Sequence, residues 1–320
     1  MSFFYIFVYT TLVVLYIMFN DNIIYEYPKA ERLIIIGDVH GDLKRFKKIL
    51  INANIINNNM EWIAEPNTVV IQLGDQIDSI NRDYRIEEWE KIKDIEMIYF
   101  THYLDMMARP KGCKVISLIG NHEMMNALGI FDYVSKFSNF DSRPSFFKPK
   151  GTLSQILSNR PIIVKIGDLL FCHAGLTKSH LDILESQGKD VSYLNDLWKT
   201  FILTGQIHIN DKDIFNKILI ENDGILWSRN LDNEDIIKEL LNKLECSYMF
   251  IGHTPVNEIT MVKNRIWYVD TGLSRAFGNI SYQYLEIKNF NIMINTITDN
   301  EDIDEIKDMY PLVPLSSGRT

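Results

Sequence analysis

LIIIGDVHGD, residues 33–42, is an apolar run of strand length that stops abruptly in a glycine and a cluster of polar residues. The same event recurs along the chain: VVIQL into GDQID (69–78), KVISLI into GNHE (114–123), LLFC into HAGL (169–176), YMFI into GHTP (248–255) and IWYV into DTGLS (266–274). Short apolar runs bounded by glycine and polar residues read as buried strands. In layered α/β folds, ligand groups collect beyond the carboxyl ends of strands, so these tips are expected to converge on one site. Helical spacing separates some of them. Leu43, Phe46, Ile49, Leu50 and Ala53 follow the first tip, and Ile86, Trp89, Ile92, Ile95, Tyr99 and Met106 the second. The stretches 160–172 and 246–295 are richer in strand. The expected fold class is therefore α/β, a mixed β-sandwich core flanked by helices.

Composition narrows the function classes. With 46% hydrophobic and 23% charged residues among 320, the chain can bury a full core. A net charge of −9 argues against a nucleic-acid partner, because phosphate neutralisation needs clustered Lys and Arg. Cys113, Cys172 and Cys246 are too scattered for a disulfide framework or zinc knuckle and read as core thiols. The expected organisation is an N-terminal hydrophobic segment (1–24), a short linker containing Pro28 (25–30), one domain (31–298) and an acidic, loosely ordered tail (299–320). SFFYIFVYTTLVVLYIMF, residues 2–19, is about the shortest length that spans a bilayer. It lacks a preceding basic residue and a small-residue cleavage site, which favours an uncleaved membrane anchor, a transmembrane helix, over a signal peptide. Lys29 and Arg32 just beyond it place the following domain on the cytoplasmic side.

The tips offer Asp38, His40, Asp75, Asn121, His173 and His253 as candidate metal ligands. Oxygen donors mixed with imidazoles suit manganese, iron or zinc better than calcium or magnesium. One histidine at a strand end is more often structural than ligating. Here, however, His40, His122, His173 and His253 all sit at tips, in a chain with seven histidines.

GDVHGD (37–42), GDQID (74–78), GNHE (120–123), HAGL (173–176) and GHTP (252–255) together resemble, in order and spacing, the calcineurin-like metallophosphoesterases, specifically the phosphoprotein phosphatase family. GNHEMMN followed by LGIFDYV, and the closing DTGLSRAFG, are most similar to its bacterial-type Shewanella-like phosphatase branch. The resemblance implies two divalent metal ions, with Mn favoured and Fe or Zn as alternatives. Asp38, His40 and Asp75 would hold the first, and Asp75, Asn121, His173 and His253 the second, with Asp75 bridging. A hydroxide shared by the metals would attack phosphorus in line. His122 would then protonate the leaving alkoxide, and Asp78 would hydrogen-bond His122 and fix its tautomer.

One departure stands out. The family follows its second GD-motif aspartate with an arginine that grips the substrate phosphate, and this chain has Ser79 there. Arg229, in ILWSRN, resembles a second phosphate-contacting arginine of the branch and is the leading substitute, with Arg82 as another. Arg143 and Arg275 are weaker candidates, Arg143 reading best as a solvated surface charge. The expected function is a metal-dependent protein phosphatase acting on Ser/Thr or Tyr phosphate. The alternatives are hydrolysis of small phosphate esters or dinucleoside polyphosphates, and an inactive pseudo-phosphatase binding module. No feature identifies a regulatory subunit.

Overall fold

The computed structural model describes residues 23–80, 93–135, 141–289 and 291–299. Its strands are β1 (Glu26–Tyr27), β2 (Arg32–Ile36), β3 (Thr68–Gln72), β4 (Lys114–Ser117), β5 (Ile163–Ile166), β6 (Leu169–Cys172), β7 (Tyr248–Ile251), β8 (Thr260–Val262), β9 (Ile266–Tyr268), β10 (Ser281–Lys288) and β11 (Asn291–Thr298). Every apolar run singled out from the sequence contains one of these strands. They form two sheets, ordered β11-β10-β2-β3-β4 and β1-β5-β6-β7-β9-β8.

Continuous apolar runs arise because the central strands are buried on both faces. Leu33 and Ile35 of β2, Ile71 of β3 and Ile116 of β4 face Val164, Phe171 and Phe250 of the second sheet in the middle of the sandwich. Their alternate neighbours Ile34, Ile36 and Val70 pack instead under helices α1 (Leu43–Asn52) and α2 (Asp94–Ala108), against Phe46, Ile49 and Phe100. The outer face of the second sheet, with Ile163, Leu170 and Met249, is covered by Leu194 and Trp198 of the helix Tyr193–Thr204 and by Leu241 of the helix Glu234–Lys243. The result is the mixed sandwich flanked by helices that the sequence predicted. Truncating a fully buried aromatic at its centre, such as Phe250, costs about 3–5 kcal/mol.

Strand direction places the site. β2, β3 and β4 run parallel, as do β6, β7 and β9, so each sheet delivers three tips at its carboxyl end. Backbone bonds then tie tip to tip. Val39 N and His40 N both donate to Asp75 O at 3.0 Å, Gly252 N donates to His173 O at 2.8 Å, and Val256 N to Asp270 O at 2.8 Å. Antiparallel pairing of β10 with β2 and of β5 with β6 makes both sheets mixed.

Glu26–Tyr27, within the stretch expected to be a linker, pairs parallel with β5 at a sheet edge. The cysteines are free and buried as expected, and burial pushes the Cys172 thiol up to about 12, which leaves it a core thiol rather than a reactive one. The membrane expectation is corrected. The segment 2–19 lies outside the described residues, and no described helix is long and apolar enough to cross a membrane. Even α2, at 15 residues, rises only about 22 Å against a hydrocarbon core of about 30 Å. The anchor, the transmembrane helix and the cytoplasmic placement derived from them are withdrawn. Apart from Asp299, the tail 299–320 also lies outside the described residues.

Candidate active site

The tips meet at a cleft of ≈ 610 Å³ whose lining includes Asp38, His40, Asp75, Asn121, His122 and His253. His40, Asp75, His253 and Asp78 all have positive φ, of 42°, 53°, 61° and 70°. Non-glycine residues avoid this region, and such strain persists only where surrounding structure enforces it, most often at functional sites. Two glycines make the crowding sterically feasible. A Cβ on Gly120 would collide with Asp75 Oδ1, and one on Gly252 with Asp38 Oδ1.

Each imidazole is anchored by one nitrogen and offers the other to the centre. His40 Nδ1 donates to Ile77 O at 3.0 Å, His173 Nδ1 to Leu73 O at 2.8 Å and His253 Nε2 to Trp227 O at 2.9 Å. Such backbone partners fix tautomer and ring orientation in metal-ligating histidines. The inward atoms then crowd together. Asp75 Oδ2 lies 3.3 Å from His173 Nε2, 3.7 Å from His122 Nε2 and 4.0 Å from His40 Nε2. Asn121 Oδ1 lies 2.9 Å from His173 Nε2 and 3.0 Å from His253 Nδ1. Asp38 Oδ2 is 3.9 Å from His40 Nε2. Two groups have donor atoms all within 4.8 Å of one another, His40–Asp75–His122 and Asp75–His173–His253, and Asp75 belongs to both.

Electrostatics register the same crowding. Burial raises the Asp38 carboxyl well above the usual range, and neighbouring Asp270 and Asp75 push it further. Burial also opposes ionisation of Asp75, but His173, His122 and His40 outweigh it and hold that carboxyl well below its ordinary value. His253 falls to about 3 through burial and the adjacent His173. His173 moves the other way: burial would keep it neutral, yet Asp75 raises it. His173 Nε2 faces the oxygens of Asn121 and Asp75, and His253 Nδ1 faces Asn121 Oδ1. Imidazole nitrogens converging with carboxylate and amide oxygens form a donor set that fits divalent cations.

His122 stands apart from this anchoring pattern. Its Nδ1 donates to the Asp78 carboxylate at 2.9 Å, and its Nε2 faces Asp75 and the cleft. Asp78 is fully buried. Tyr133 and Phe277 border the mouth, with ring centroids 5.0 Å from His122 and 5.5 Å from His40 respectively.

The arginines sort differently from expectation. Arg229 lines the cleft and is exposed, whereas Arg82 lies outside the described residues. Arg275 is committed to Asp42, through Nε–Oδ2 at 2.9 Å and Nη2–Oδ1 at 3.0 Å. Arg143, expected on the surface, is fully buried. It opens the short helix α4 (Arg143–Phe147), which packs on α3 (Asn121–Leu128), and it pairs with the carboxylates of Asp78 and Asp94. Ser79 is also buried, beside Gly41, and its hydroxyl has no hydrogen-bond partner among the described residues.

Two further acids were missed. Glu123 accepts from the backbone N–H of Asp75, Gln76 and Gly120 at 2.8–2.9 Å, holding two tips together. It closes the GNHE motif, which carried the signal. Asp270 lines the cleft with Oδ2 unpartnered among the described residues, and burial pushes it up to about 6. It follows the sixth apolar run as Asp38 follows the first, so the same rule would have found it.

Two packed sheets flanked by helices, with a shared carboxylate between two histidine-rich donor groups, are the architecture of a metallophosphoesterase. Residues 31–257 match the calcineurin-like phosphoesterase family model, and the chain belongs to that family. It is 27% identical over 299 residues to Shewanella-like protein phosphatase 1 of Plasmodium berghei (strain Anka), covering 82% of this chain and 73% of that protein. Against Shewanella-like protein phosphatase 2 of Arabidopsis thaliana it is 24% identical, over 51% of each. Among solved structures, a cold-active protein-tyrosine phosphatase of a psychrophilic Shewanella species shares the fold, with a TM-score of 0.72 at 21% identity over 88% of this chain and 84% of that one. The chain is thus a metal-dependent phosphatase by family.

Proposed function

We propose that the chain removes phosphate from phosphoproteins, using two divalent cations. The observation that carries this reading is the convergence of two groups of ligand atoms, His40–Asp75–His122 and Asp75–His173–His253, on the shared carboxylate of Asp75, with Asn121 Oδ1 beside the second. Asp38, His40 and Asp75 would hold one cation, and Asp75, Asn121, His173 and His253 the other, the mixed oxygen and imidazole donors suiting manganese, iron or zinc. The bound cations would supply Lewis-acid charge that acidifies a water and offsets the phosphate oxygens. His122, as the imidazolium with its Nδ1–H held by Asp78, would deliver its Nε2 proton to the leaving oxygen and remain as the neutral imidazole. Arg229, on the open side, takes up phosphate charge in place of the arginine absent at position 79. The relatives' names as protein phosphatases support a phosphoprotein substrate over a small phosphate ester.

The test is Mn²⁺-dependent phosphate release from phosphoserine, phosphothreonine and phosphotyrosine peptides, with a dinucleoside tetraphosphate alongside. Release from a peptide is expected. Release from the nucleotide alone would replace the phosphoprotein reading, and release from none of them by metal-loaded protein would favour a binding role.

A further inference from the structure

Behind His122, side chains from four separate stretches close on one another, and none of them lines the cleft. Asp78 Oδ2 accepts from His122 Nδ1 at 2.9 Å and from Asn126 Nδ2 at 2.8 Å, while its Oδ1 is held by Arg143 Nη2. Arg143 Nε donates to Asn126 Oδ1 at 2.5 Å and Nη1 to Asp94 Oδ2 at 2.8 Å. Asp94 Oδ2 in turn accepts from Asp78 N at 3.2 Å. The guanidinium also lies 4.8 Å from the centroid of the Phe147 ring.

Three nitrogens of one planar fork therefore meet three different acceptors, which the compact ammonium of lysine cannot reproduce. Because Arg143 takes the carbonyl of Asn126, that amide must turn its NH₂ toward Asp78. Both oxygens of Asp78 are then occupied and its carboxylate cannot rotate. A fixed carboxylate fixes the His122 tautomer and aims Nε2 at the cleft.

We infer that Arg143 is a positioning residue for proton delivery: through Asp78 and Asn126 it locks His122 in the orientation that serves the leaving oxygen. The inference rests on the reading of His122 as proton donor given above. Its consequence is selective. Loss of Arg143 should matter in proportion to how much the leaving oxygen needs a proton, which is little for p-nitrophenolate and more for phenolate.

The experiment compares kcat and KM of the full chain, with Mn²⁺, on p-nitrophenyl phosphate and phenyl phosphate for wild type, Arg143→Met, Arg143→Lys, His122→Asn and the Arg143→Met/His122→Asn double variant. Bound metal is measured for each. General acid catalysis contributes about a hundredfold or more, so His122→Asn should lose about that much on phenyl phosphate and far less on p-nitrophenyl phosphate. Arg143→Met should lose about tenfold in kcat on phenyl phosphate and under about threefold on the nitrophenyl ester, with KM and metal content unchanged. Arg143→Lys should fall between Arg143→Met and wild type. In the His122→Asn background, Arg143→Met should add no further leaving-group selectivity.

Equal losses on both esters, a loss in KM alone, or added selectivity in the double variant would overturn the inference. If Arg143→Met does not fold, Arg143→Lys decides, and a wild-type ratio between the two esters in that variant would also overturn it. An unchanged ratio in His122→Asn removes the proton-donor reading and this inference with it. A changed ratio there, with wild-type ratios in both Arg143 variants, sinks the inference alone.

Discussion

The front and the back of the His122 imidazole are built by different rules. In front, Asp38, His40, Asp75, Asn121, His173 and His253 each stand at the end of a strand and meet across the cleft. Behind, Asp78, Asn126, Asp94 and Arg143 are joined by paired charges and hydrogen bonds. The front gathers imidazoles, carboxylates and an amide oxygen around Asp75, while the back joins its members donor to acceptor. A site that must hold cations needs unsatisfied demand on one side, and on the other a frame satisfied well enough not to move.

The largest effect should come from the front. Asp75→Asn weakens both donor groups at once and should cut phosphate release about a thousandfold or more, with loss of bound metal by elemental analysis. Near-normal turnover would break the assignment of Asp75 as shared ligand. The frame should respond in stability instead. Glu123→Ala strips three buried backbone N–H groups of their acceptor and should lower unfolding stability by about 3 kcal/mol in a urea titration. A change below about 0.5 kcal/mol would mean that water replaces the carboxylate and that the tips are not held by it.

Smaller effects sharpen the contrast. Arg229→Ala should raise KM about tenfold, the worth of one charge-assisted hydrogen bond, and leave stability unaltered because the side chain is exposed. A wild-type KM would shift the phosphate-binding cation to another arginine. Lys48→Ala breaks a 2.9 Å ion pair with Asp299, neither residue lining the cleft, and should cost under about 1 kcal/mol, read by the same denaturation.

The contrast also explains what the sequence could disclose. Front residues announce themselves because strand periodicity ends where a polar tip begins, so the place of Asp38 and His253 at the cleft is legible within ten residues of chain. The sandwich was legible for the same reason, since apolar runs of strand length imply sheets covered on both faces. Arg143 was not. DSRPSF carries no period, and only Pro144 hints at a helix start, so burial of the arginine depends on carboxylates 49 and 65 residues away. Asp94 sits at the start of a helix, where an acid is ordinary, and nothing local announces its pairing with Arg143. The apolarity of residues 2–19 showed the opposite weakness, because a length that could span a bilayer does not establish that it does.

The most direct test of the account is metal stoichiometry tied to turnover. Chelator-stripped full-length protein would be titrated with Mn²⁺ while phosphate release from a phosphopeptide is followed. The account predicts negligible release from stripped protein, recovery that saturates at two Mn²⁺ per chain, and neither in Asp75→Asn. Release that survives stripping, or recovery complete at one Mn²⁺ per chain, would contradict it.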